Sequence, residues 1–314
     1  MVSLARYKEQ RSDHYPRDFF VARKWYEKAL QLKPDMGSPF NQLAVVSTYE
    51  SDELSAVYYY YRGMLVKTPF PTAKENLALL FQKNAKLFES KRPLTGSFET
   101  MSRKDFTRLF IYTTGLLFHR DLEKLNQVAE SMSVAFQAGL KTGMFSSADD
   151  VLRMVIIIIS ALFQMKSDEI ELQKVNGLLL IRMMKSLVLA ASEKHVSAAK
   201  TVMYAKALRA FLLWLAFSSS GLKPAMESSD WIEMTQMLIR LLNEYSAPLS
   251  FDKPVKILSF ISDDEALRGF LPLELALPDS YFAQRSLIKK DKEQSARTRS
   301  ILFAAEKCAD LQVS

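Results

Sequence analysis

Apolar side chains recur along most of the chain at three- and four-residue spacing, the period of a helix with one buried stripe. Over 19–32, Phe20, Trp25, Ala29 and Leu32 fall near one face. Residues 53–67 set Leu54, Val57, Tyr58, Tyr61 and Leu65 on another. A helix over 38–50 is predicted from Ser38-Pro39, an N-cap followed by proline at the first helical position. A helix over 72–90 is predicted from Thr72 with Glu75, a capping box. Residues 1–11 are predicted to form a helix ahead of these. Longer periodic stretches follow at 102–119, 121–139, 147–166, 168–193, 197–219 and 228–246, with a short one at 253–260. Gly139, Gly143, and Gly221 with Pro224 supply stops. The run Ile156-Ile157-Ile158-Ile159 is β-branched, but its length and charged flanks, Arg153 and Lys166, suit a buried helix and not a bilayer span.

The first ninety residues repeat. Pro34, Asn41 and Leu43-Ala44 recur as Pro69, Asn76 and Leu77-Ala78, 34 to 35 residues later, which is the tetratricopeptide period. Each proline stands just past a helix that it cannot continue. The sequence therefore predicts an all-α fold, with helical hairpins stacked around one core and a concave inner face. Lys91-Arg92-Pro93-Leu94-Thr95-Gly96-Ser97 reads as a linker. The expected organisation is a repeat domain over 1–92, a helical-hairpin, solenoid-like domain over 93–278, and a basic tail over 279–314.

Composition adds little that conflicts. Only 9 glycines occur in 314 residues, few for the phosphate loops and tight turns of an α/β enzyme. The single cysteine, Cys308, cannot form an internal disulfide, and it points to a reducing compartment. No secretory leader is legible at the start, so a soluble intracellular protein is expected. No P-loop, dinucleotide fingerprint, nucleophile elbow or His-Glu-x-x-His motif is present, and no enzymatic activity, cofactor or metal is expected. Asp149-Asp150 and Asp263-Asp264 read as helix-capping acids, and His119 as a partner of a helix C-terminus.

The net charge of +7 suits polyanionic partners. Arg285, Lys289, Lys290, Lys292, Arg297 and Arg299 form a basic tail. It reads either as a nucleic-acid patch or as the solvated face of a final helix. A sharper constellation is Arg6-Tyr7 with Asn41. On inner helices of successive hairpins, the arginine offers paired charge-assisted hydrogen bonds to a phosphate. The tyrosine hydroxyl adds a donor, and the asparagine amide both donates to and accepts from a peptide backbone. The alternative is internal: Arg6 paired with a carboxylate, and Asn41 satisfying a helix end.

Several segments resemble one known family. They are Leu4-Ala5-Arg6-Tyr7-Lys8, Ala22-Arg23-Lys24-Trp25-Tyr26, Pro39-Phe40-Asn41-Gln42-Leu43-Ala44, Tyr58-Tyr59-Tyr60-Tyr61-Arg62 and the run from Pro69-Phe70-Pro71-Thr72-Ala73 to Leu77. Leu267-Arg268-Gly269-Phe270-Leu271-Pro272-Leu273 resembles a second signature of the same family. The family comprises the telomerase-associated "ever shorter telomeres" proteins and the Smg adaptors of nonsense-mediated mRNA decay. The resemblance implies a 14-3-3-like tetratricopeptide domain followed by helical hairpins, with a family DNA/RNA-binding region over about 20–278. It implies an adaptor that binds the phosphorylated up-frameshift RNA helicase, recruits decay factors and forms a hetero-oligomer with a paralogous adaptor, in cytoplasm and nucleus. The family's other branch implies binding of telomerase RNA or single-stranded telomeric DNA. Arg6 takes the family's phosphate-ligand position and Tyr7 the neighbouring tyrosine. Asn41 is placed by helix order as a peptide-backbone clamp, with Asn76 as its counterpart one repeat on. Met1-Val2-Ser3 stands where the family has Leu-Gly-Asp. The expectation is an N-terminally incomplete member, or one that has lost phosphopeptide binding, without the upstream helices or the C-terminal nuclease domain of some relatives.

Overall fold

The computed structural model describes residues 2–11, 18–90, 98–145, 147–246, 259–283, 286–287 and 292–312. The linker predicted at 91–97 lies outside them. The architecture is all-α. Five helices form the repeat part: α1 (Val2–Gln10), α2 (Phe20–Leu32), α3 (Gly37–Tyr49), α4 (Glu53–Met64) and α5 (Ala73–Glu89). The longer helices are α6 (Arg103–His119), α7 (Leu122–Thr142), α8 (Ala148–Phe163), α9 (Ile170–Ala191), α10 (Ala198–Ser218) and α11 (Ser229–Ser246). Short α12 (Ser262–Leu267) and α13 (Asp279–Ala283) precede the last helix, α14 (Glu293–Gln312). From α1 to α7 each helix packs on the next, whereas farther along α7 and α11 both pack on α9, and α8 and α14 on α10.

One hydrophobic cluster runs from Ala44 on α3 to Ala304 on α14, so the repeat helices share a core with the later ones. Its centre is α8. Val155 through Ile159 are fully buried, which explains a helix apolar on every side. Ser160 keeps its hydroxyl satisfied there by donating to the Ile156 carbonyl at 2.7 Å. Helix α10 is long and apolar enough to cross a bilayer by length and composition, and most of it is buried between α8, α9 and α14.

The structure departs from the predicted pattern in several places. Phe20, Trp25 and Leu32 are 60%, 50% and 78% exposed. The face of α2 that packs is Ala22 and Tyr26, which joins Phe19 against Leu43 and Val46 of α3. Lys24 and Lys28 lie over the exposed Phe20 and Trp25 rings, at 5.5 and 5.7 Å. The Thr72 capping box does not form. At φ −101°, ψ 12° the residue lacks the extended backbone that aims a capping oxygen along the helix. Helix α3 starts one residue before Ser38, because Gly37 N–H donates to the Thr68 carbonyl at 2.8 Å and Met36 bridges Thr68. Of the helix predicted at 253–260, residues 253–258 lie outside the described residues. Ser259–Phe260 are extended and pair in parallel with Ser286–Leu287.

Gly139, read from sequence as a stop, instead lies buried inside α7, while other helix ends follow the sequence. Gly143, at φ +70°, closes α7 in the left-handed region that glycine adopts at no steric cost. Ser147 and Asp150 form a capping box on α8. Asp264 takes its N–H from Ile261 at 3.0 Å at the head of α12.

Candidate functional site

Arg6 and Tyr7 lie on α1, which packs on α2. The Arg6 side chain is buried, and its guanidinium stacks 4.3 Å from the Tyr7 ring centroid. Nη1 donates to Gln10 Oε1 at 3.2 Å, and Gln10 Nε2 donates to the Tyr49 hydroxyl at 2.8 Å. This chain of contacts ties Arg6 to the end of α3. Arg6 Nε and the Tyr26 hydroxyl are both buried and make no hydrogen bond among the described residues. Burial raises the Tyr26 phenol above its ordinary range, and the nearby Arg6 charge opposes the rise. Among the described residues Arg6 has no carboxylate within 4.0 Å. Among the described residues the carboxylate of the internal alternative is thus not found beside Arg6, and the buried guanidinium donates to a neutral amide. Such a group gains when an anion replaces lost water.

Tyr7 is 48% exposed and serves as the platform under the guanidinium. Asn41 on α3 and Asn76 on α5 meet: Asn76 Nδ2 donates to Asn41 Oδ1 at 3.1 Å. The two repeat-related asparagines are thus one unit. The Asn41 Nδ2 donor and the Asn76 Oδ1 acceptor have no partner among the described residues, and together they match the donor and acceptor of a peptide group. Asn41 stands eight residues before Tyr49 on α3, about 12 Å along the axis. That is roughly four residues of extended peptide.

The basic tail divides. Arg285, Lys289 and Lys290 lie outside the described residues, and Lys292 and Arg299 are exposed. Arg297 is not a nucleic-acid ligand. It is buried on α14, with Nε and Nη2 at 2.6 and 3.1 Å from the two Asp263 oxygens. Arg209 of α10 is equally buried, pairs with Asp264, and donates through Nε to Ser300 Oγ at 2.7 Å. Lys206 bridges Asp149 at 2.9 Å and Asp263 at 3.5 Å. Burial works against the Asp263 charge, but Arg297, Lys206 and Arg209 outweigh it and hold the carboxyl below the usual carboxylate range. The Asp263-Asp264 pair, read from sequence as capping acids, also forms the ionic clasp joining α12 and α14 to α10. No sequence signal marked that role, since the partners lie 34 and 55 residues away.

The two family signatures meet in space. Arg62, fully buried at the end of the tyrosine run, donates from Nη1 to the Tyr58 hydroxyl at 2.9 Å and to the Ala266 carbonyl at 2.6 Å. Nη2 donates to the Arg268 carbonyl at 3.1 Å. The Phe40 and Phe270 rings flank the guanidinium at 4.6 and 5.1 Å. Leu271 N–H donates to the Leu65 carbonyl at 3.0 Å. Gly269, at φ +73°, sits so close to Pro34 that a Cβ would lie 2.6 Å from the Pro34 oxygen.

This junction falls inside the segment, residues 22–277, that matches the family described as the Est1 DNA/RNA binding domain. The chain belongs to that family. It is 32% identical over 163 residues to the nonsense-mediated mRNA decay factor SMG7 of Danio rerio, spanning 52% of this chain and 12% of that protein. It is 45% identical over 80 residues to the telomerase-binding protein EST1A of the same organism, covering 26% of this chain and 5% of that one. The chain therefore spans a small part of the relatives it matches. Among solved structures, that of Est1 and Cdc13 superposes with a TM-score of 0.72 at 17% identity, over 98% of this chain and 66% of that one. The Caenorhabditis elegans SMG5-SMG7 complex superposes at 0.56 with 18% identity, over 99% and 66%. Both likenesses support the all-α Est1-type fold. The matching family description is of nucleic-acid binding and not of catalysis.

Proposed function

We propose that the chain is a non-enzymatic adaptor of nonsense-mediated mRNA decay that reads a phosphorylated segment of the up-frameshift RNA helicase. The observation that carries this reading is Arg6: a buried guanidinium with no carboxylate within 4.0 Å among the described residues, stacked on Tyr7 and joined to α3 through Gln10 and Tyr49. A phosphoryl group supplies the missing countercharge, and the Asn41–Asn76 pair takes the backbone further along. SMG5 and SMG7 relatives, and a structure of the two in complex, support pairing with a paralogous adaptor. A protein of this role works in the cytoplasm and the nucleus.

Fluorescence titration of phosphorylated and unphosphorylated helicase peptides tests the reading. The phosphopeptide is expected to bind more tightly, and Arg6→Glu to weaken it by about tenfold to a hundredfold, the range for a lost charged hydrogen bond. Equal affinity for both peptides, or an unchanged Arg6→Glu, refutes it.

The second reading is binding of telomerase RNA or single-stranded telomeric DNA, favoured by the EST1A relative, the net charge of +7 and exposed Lys292 and Arg299. Its signature is an affinity that falls steeply with salt. A flat salt response removes it.

A further inference from the structure

A cavity of about 390 Å³ opens where α2, α3 and α4 face α8, α10 and α12. It stands apart from Arg6 and the asparagine pair, none of which lines it. Arg153 of α8 projects into it. Its Nη1 donates to Ser55 Oγ at 2.8 Å, and its guanidinium lies 5.9 Å from the Tyr58 ring centroid. Ser55 in turn donates to Asp52, which caps α4.

Three of the nearby acids are engaged elsewhere. Asp150 pairs with Arg103 at 2.8 Å, Asp149 with Lys206, and Asp263 with Arg297 and Lys206. No carboxylate lies within 4.0 Å of Arg153 among the described residues. Arg62, at the inner wall, binds main-chain carbonyls and pairs with no carboxylate among the described residues. Beside Arg153, the Tyr59 hydroxyl makes no hydrogen bond to a described residue. Burial raises its pKa, against the pull of Arg153, so it is a protonated donor at neutral pH.

We propose that this cavity is a second anion-recognition site, in which Arg153 and the Tyr59 hydroxyl receive one acidic side chain of a partner peptide, carboxylate or phosphoryl. Leu30, Leu43 and Leu152 line the same cavity and take an apolar neighbour of that side chain. Glu27, Asp149 and Glu265 at the site disfavour a continuous phosphodiester backbone, while a single anionic group reaches Arg153 between them. The site does not depend on the Arg6 reading, and either stands if the other fails.

The test uses the full chain and three nine-residue peptides, each with glutamate, phosphoserine or glutamine between two leucines in an alanine background. Calorimetric titration is combined with mapping of phenylglyoxal modification at Arg153. The glutamate or phosphoserine peptide is expected to bind at least about tenfold more tightly than the glutamine peptide and to protect Arg153. Whichever acid binds better identifies the group. Arg153→Gln is expected to abolish binding, and Tyr59→Phe to weaken it several-fold while the melting temperature stays within a few degrees of the parent. Glutamine binding as well as the acids overturns the proposal, as does absence of saturable binding. So do binding lost in Arg6→Glu but kept in Arg153→Gln, and protection of Arg153 by a single-stranded oligonucleotide alone.

Discussion

The guanidinium of Arg62 donates to the main-chain oxygen of Ala266 across 204 residues of sequence, at 2.6 Å. A planar fork buried between Phe40 and Phe270 holds the end of the tyrosine run to the segment preceding Gly269. Replacing Arg62 by alanine leaves two carbonyls and the Tyr58 hydroxyl unpartnered. The expected loss is about 3–5 kcal/mol in urea unfolding, in line with breaking other buried charged networks. Arg62→Lys is expected to recover little, because an ammonium lacks the two-armed geometry. A loss below about 1 kcal/mol for alanine would contradict the role assigned to this contact.

At Gly269 the backbone itself sets the constraint. Gly269→Ala places a methyl group 2.6 Å from the Pro34 oxygen in a left-handed conformation. A destabilisation of about 1–3 kcal/mol is expected, with thermal unfolding as the measurement. Gly143→Ala shares the positive φ but has only the Lys200 side chain near it, at 3.9 Å. It should cost less. Equal costs at the two positions would refute the steric account.

The tail separates by burial. Arg297→Ala strands Asp263 in the interior and is expected to cost about 3–5 kcal/mol. Arg299→Ala, on the exposed side of the same helix, is expected to stay within about 0.5 kcal/mol. Chemical denaturation of the pair decides the matter. If Arg297→Ala instead weakened only nucleic-acid binding, with stability intact, the clasp would be wrong.

Acidification should release that clasp. Asp263 has a folded-state pKa below its unfolded value, so its contribution to stability is complete above the unfolded pKa of about 3.9. It is lost as pH falls through the lower folded value. Stability measured from pH 6 downward is expected to drop in that acid range, and less so in Asp263→Asn, which has already lost the charge. Parallel curves for the two proteins would count against the linkage.

Cys308 is expected to be chemically quiet. Burial pushes its thiol up to about 12, and Sγ donates to the Leu212 carbonyl at 3.7 Å. At pH 8 the thiolate is scarce, so a disulfide reagent should label the native chain far more slowly than the urea-unfolded chain. Similar rates in both states would place the thiol at the surface.

Local pattern by itself determined the helices, their approximate ends, the 34 to 35-residue repeat and the buried isoleucine centre, because 3.6-residue periodicity and chain-breaking prolines act within a few residues. Arg6, Tyr7, Asn41 and Asn76 were legible as candidates for the same reason, through motif and repeat spacing. Packing decided the rest. It turned Phe20, Trp25 and Leu32 outward although the stripe was apolar, since Ala22 and Tyr26 fit α3. It made Asn41 and Asn76 hydrogen-bonded partners, moved Arg297 from surface cation to buried counterion, and left Arg153 beside Tyr59 without an acid. Which charges meet depends on chain segments up to 212 residues apart coming together, and no local spacing encodes that distance.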